Sequence, residues 1–188
     1  MYIHTKKAAD PIFSEKQIDL PPQNGRKEYN MIDEFVAWAI NNGWSVELAE
    51  SLHEIPVLLT QRYRSLPRTW SDFFRAINSC HNAQDTVWFT DHQSFRTDDD
   101  NAFRYNELEL ISLDAACGDA ELENDIRSFW DKHIPIVMSV SNGYEYYAIN
   151  IDTGAIVNGY EPEFEECSHT ADTFYDFLKM IISGEIII

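Results

Sequence analysis

The segment from Ile134 to Glu161, IPIVMSVSNGYEYYAINIDTGAIVNGYE, constrains the fold more than any other part of the chain. Asn142-Gly143 is the strongest short hairpin signal, because both central residues of a tight two-residue turn need positive φ. Asp152-Thr153-Gly154 supplies a second reversal. β-Branched and aromatic residues flank both turns, so the segment reads as three antiparallel strands in succession. Alternation along YEYYAINI sets Tyr144, Tyr146, Ala148 and Asn150 on one face. Glu145, Tyr147, Ile149 and Ile151 take the other.

Helical signals surround this meander. Asn30 reads as an N-cap, and Ile32, Phe35, Val36, Ala39 and Ile40 follow at the spacing of an apolar helix face that Gly43 ends. Ser45 is placed to cap a second helix through about His53, with Leu48, Ala49 and Leu52 inward. Pro56 opens further helical turns in PVLLTQRYRS. Between Leu66 and Asn78, Pro67 suits a first turn and Trp70, Phe73, Phe74 and Ile77 share a face. Asp85–Thr90 reads as a short strand, DHQSFRTDDDNAF as an exposed loop, and Glu107–Leu113 as a half-buried strand because acids and apolar residues alternate. Ala120–His133 is helical, with Leu122, Ile126, Phe129 and Trp130 on one side. After the acidic loop EPEFEECSH, Thr170 is placed to cap a last helix that buries Ala171, Phe174, Phe177, Leu178, Ile181 and Ile182 and stops at Gly184.

The expected fold class is therefore α+β: N-terminal helices, a central, mainly antiparallel sheet with a late β-meander, and a closing C-terminal helix. Residues 1–30, with Pro11, Pro21, Pro22 and Gly25, read as a flexible or packed arm, and 31–188 as a single domain.

Composition narrows the function. No apolar run reaches the ~18 residues of a membrane span, and the first residues lack the apolar core of a signal peptide, so a cytoplasmic protein is expected. Cys80, Cys117 and Cys167 are odd in number and irregular in spacing, which speaks against a disulfide framework. The net charge of −18 is unevenly placed. Residues 1–75 hold 9 basic and 10 acidic side chains, whereas 76–188 hold 5 and 22. Such a field repels nucleic acid and anionic membranes and steers basic partners inward.

Catalytic and metal patterns are weak. Asp98, Asp100 and Glu109 fall at positions 1, 3 and 12 of an EF-hand-like loop, but Ala102 and Phe103 stand where a ligand and a glycine are required. Cys80-His81 and Cys167-x-His169 lack the tight pairing of structural zinc sites. No nucleophile elbow, phosphate loop or dinucleotide fingerprint occurs. No cofactor, no metal and no enzymatic activity are expected.

Three segments together resemble one family. LPRTWSDFFRAIN is similar to its Leu-Pro-x-x-aromatic-x-x-Phe helix, the Ile134–Glu161 meander to its central sheet, and HTADTFYDFLKMI to its closing helix. The family is Smi1/Knr4, the core of the SUKH superfamily, and the resemblance covers roughly residues 54–183. Ser79 stands where the family usually has glycine, and SVS replaces the glycines often found before the hairpin. The resemblance implies a SUKH-like fold and a bacterial immunity protein that binds and blocks a cognate toxin. Some relatives act instead as protein–protein interaction scaffolds or regulatory hubs, and that reading stays open. A metal-dependent hydrolase built on the carboxylate-rich loop is the remaining alternative.

Nuclease toxins bind phosphodiester backbones and are rich in lysine and arginine, so a basic nuclease domain is the expected partner. The expected partner-binding residues are Asp98, Asp99, Asp100, Glu161, Glu163, Glu165 and Glu166 for steering and rim contacts. Tyr144 and Tyr147 are the expected aromatic anchors, since Tyr gives large contact area with few rotors.

Overall fold

The computed structural model describes residues 26–95 and 103–188. The elements run α1 (Arg26–Asn41), β1 (Ser45–Leu48), α2 (Val57–Arg62), α3 (Arg68–Ala76), β2 (Ile77–His81), β3 (Val87–Phe89), α4 (Glu107–Ala115), α5 (Ala120–Trp130), β4 (His133–Ser139), β5 (Glu145–Asn150), β6 (Ile156–Tyr160), β7 (Ser168–Ala171) and α6 (Phe174–Ser183). A short 3-10 turn at Gln93–Phe95 follows β3. The seven strands form one antiparallel sheet whose spatial order is their order in the chain.

The expected meander forms its centre, with Met138 opposite Tyr146 and Tyr146 opposite Gly159. The alternation read in β5 also holds. Tyr147 and Ile149 enter one core with Phe35, Phe73, Phe89, Phe174 and Phe177, contributed largely by α1, α3 and α6. Tyr146 and Ala148 enter a second core with Leu108, Ile126, Trp130 and Phe164. Both faces of the sheet are covered at its centre, which explains why β4 is buried from His133 through Met138. Pro135 coincides with a register shift in β4, as a residue without an N–H requires. Nearby, the Thr90 hydroxyl donates to the Pro135 carbonyl at 2.8 Å.

Several expectations are corrected. Ser45–Leu48 is an edge strand paired with β2, not a helix, and Leu48 and Leu52 are exposed rather than inward. A helix there would leave β2 without its outer partner. Glu107–Leu113 is helical, because Leu108 and Ser112 lie one turn apart on the buried side and Glu109 is buried with an ion-pair partner. Its first turn also carries Glu107 and Glu109, where the helix dipole favours negative charge. Asp119 caps α5, accepting from the Glu121 and Leu122 N–H groups, and Leu122 is exposed. Thr173, not Thr170, caps α6; its hydroxyl accepts from the Asp176 N–H at 3.1 Å, while Thr170 lies in β7. α1 begins at Arg26, so the expected arm boundary at residue 30 falls inside a helix, and residues 1–25 lie outside the described residues. Among the described residues, no helix is long and apolar enough to cross a membrane.

Candidate functional site

The two helical layers differ in charge. α1, α3 and α6 together carry five acidic and five basic residues. α4 and α5 carry six acids against one arginine. The β6–β7 connection adds Glu161, Glu163, Glu165 and Glu166 to the same side, since Phe164 within it is buried beside Trp130 and Tyr146. One face of the sheet is electrically balanced by its helices, and the other supports an acidic layer.

The expected site residues separate within this frame. Glu161, Glu163 and Glu166 are exposed, and among the described residues no cation pairs with them. Glu161 precedes Pro162 across a cis peptide bond, and its side chain lies over Gly143, where a Cβ would come within 2.6 Å of the carboxylate. Glu165 is half-buried and accepts from the Trp130 indole N–H at 2.7 Å, so it fastens the loop to α5. Tyr144 is half-buried, edge-on to Phe103. Tyr147 is only 8% exposed and packs on Phe177, and burial holds its hydroxyl pKa up at about 12. It is a core residue and cannot serve as an anchor on this surface. Asp98, Asp99 and Asp100 lie outside the described residues.

The acid that sequence placed in an EF-hand position has another task. Glu109 accepts two hydrogen bonds from Arg62, at 2.7 and 2.8 Å, and Arg62 also reaches Asp131 at 3.1 Å. Burial alone would lower the Arg62 pKa, but the Glu109 carboxylate, together with Tyr63 and Tyr105, outweighs it and keeps the guanidinium charged. A carboxylate committed in this way is not available as a cation ligand. Among the described residues no group of three His, Cys, Asp or Glu side chains is arranged to hold a metal. Cys80 is buried, which pushes its thiol up to about 12, far from a reactive thiolate.

The acidic layer does not cover the whole sheet. α4 and α5 pack over the β4–β6 end, and a cleft of about 400 Å³ opens over β2 and β3. Its floor and walls include Ser79, His81, Asp85, Trp88, Asp91 and Phe103. Phe103 stands edge-on to Trp88 with centroids 5.4 Å apart and continues to Tyr144 at 5.9 Å. Sequence reading assigned none of these six to a site. Trp88 carried the only signal, a tryptophan in a short strand whose alternation puts it opposite the core-facing Val87 and Phe89.

No family model, curated protein or solved structure matches the chain.

Proposed function

We propose that this protein is a non-enzymatic immunity protein of the Smi1/Knr4 kind, which binds a basic toxin, a nuclease domain, and neutralises it by covering its working surface in the cytoplasm. The observation that carries the reading is the charge difference between the two helical layers of one sheet. Acids kept only for solubility have no reason to collect on one side. A one-sided field orients a basic partner during encounter and raises the association rate. The three resembling segments, the Leu66–Asn78 helix, the meander and the closing helix, support the family reading. No cofactor takes part, since occlusion requires only shape and charge.

The test is co-expression with the product of the neighbouring open reading frame, followed by purification of the complex and measurement of its association rate. Replacing Glu161, Glu163 and Glu166 together by Lys should slow association roughly tenfold or more at low salt and flatten its salt dependence. Unchanged rates in that variant would remove these carboxylates from the interface. Failure to protect cells from any adjacent toxin would remove the immunity reading itself.

A further inference from the structure

The cleft over β2 and β3 is not accounted for by a diffuse acidic field, because it has a built interior. Its floor is the sheet itself: His81 pairs directly with Trp88 across the β2–β3 ladder, so both side chains stand on the same face. Trp88 is half-buried, with the Phe103 ring edge-on against it. Two carboxylates flank this aromatic floor. Asp85 lies in the β2–β3 turn at φ 55° and is 81% exposed at its side chain, 3.4 Å from His81 Nδ1. Asp91 sits at the other side, where one of its oxygens accepts from the Gln93 and Ser94 N–H groups and fixes the 3-10 turn. The carboxylate is therefore held in place by the backbone it caps.

An indole face between two carboxylates has a definite chemical preference. Arginine is planar, stacks on aromatic rings, and presents several donors to carboxylates at once. An anion would be repelled, and a purely apolar group would cover the two carboxylates without countering their charge. Position supports the same occupant. Glu161 donates its backbone N–H to the Tyr144 carbonyl at 2.9 Å, Tyr144 touches Phe103, and Phe103 touches Trp88. The exposed acids of the β6–β7 connection and the cleft thus belong to one continuous surface.

We infer that the Trp88–Asp85–Asp91 cleft is the specificity pocket of that surface and receives the guanidinium of one arginine from the basic partner. The inference rests on the functional reading above for its partner, but the pocket chemistry can be tested without that partner. The probe is N-acetyl-arginine N-methylamide, with the citrulline analogue as its uncharged isostere, added to the full chain. The Trp88 indole N–H resonance, identified by its loss in Trp88→Phe, should shift with the arginine probe together with the amides of Ser79 and His81. The citrulline probe should produce less than a third of that shift at equal concentration. Asp85→Asn, a surface change that leaves the fold intact, should weaken the arginine probe roughly threefold, the size of one exposed ion pair.

Equal shifts with citrulline, or arginine shifts confined to the amides of 161–166, would overturn the pocket. The two proposals fail separately. If the toxin complex forms with unaltered affinity in Asp85→Asn and Trp88→Phe, the pocket inference falls and the immunity reading stands. If the arginine probe binds as described while no adjacent toxin is neutralised, the pocket stands and the immunity reading falls.

Discussion

His133 shows how a single side chain can tie stability to pH. It is buried between α5 and β4, with Nδ1 at 2.8 Å from the Phe129 carbonyl and Nε2 at 2.9 Å from the Asn150 amide nitrogen. Those partners fix the neutral tautomer: Nδ1–H donates to the carbonyl, and Nε2 accepts from Asn150. The Asn150 oxygen is occupied by the Asp152 and Thr153 N–H groups, so the amide cannot turn over to accept a second proton. Burial accordingly lowers the His133 pKa from its ordinary 6.5, with the Phe129 bond opposing only in part. The unfolded chain then binds more protons than the folded one in mildly acid solution, and stability falls as pH drops below about 6.5. Urea titrations at pH 7.5 and 5.5 should show a larger loss for the natural chain than for His133→Gln. Gly159 is a second residue with a geometric reason. A Cβ there would lie 2.5–2.6 Å from the Tyr146 ring, whose hydroxyl donates to the Phe164 carbonyl and whose side chain is fully buried. Gly159→Ala should cost about 2 kcal/mol or more, read from the urea midpoint.

Among elements, the Arg62 fork joins α2 to α4 and to the end of α5. Arg62→Met should lose roughly 3–5 kcal/mol by leaving Glu109 buried without its cation, and Arg62→Met with Glu109→Leu should regain most of that. Equilibrium unfolding of the single and double variants checks both. The same helix marks the boundary of what sequence could convey. The ELELISL run has strand alternation and helix spacing at once, and a buried acid decides between them only when its distant arginine is known. β1 and β7 are four residues long and carry Ser, Glu, His and Thr, so they have neither length nor apolar period to announce a strand. The meander and α3 were legible because their patterns are long and their turns carry glycine or proline. On the surface, the acids of 161–166 were legible as charge, yet Glu165 proved to be a tether for Trp130. Tyr147 and Tyr144 are near neighbours in sequence on opposite faces, and only the packing of α6 shows that Tyr147 is covered.

At the scale of the whole molecule, a charge of −18 with one helical layer balanced means that repulsion is stored mainly on the other. Sodium chloride should therefore raise the melting temperature from low ionic strength upward, and the Glu161, Glu163 and Glu166 triple Gln variant should show a smaller rise. Differential scanning calorimetry across salt concentrations measures both. The strand order has a kinetic meaning as well. β4, β5, β6 and β7 follow one another through short connections, so that part of the sheet can zip outward from the Asn142-Gly143 reversal, whereas β3 joins it only across α4 and α5, and β1 joins β2 only across α2 and α3. Stopped-flow refolding should then find Val137→Ala in β4 slowing folding and Val46→Ala at the β1 edge mainly hastening unfolding, so that the chain's rate of assembly is set at its middle and its lifetime at its margins.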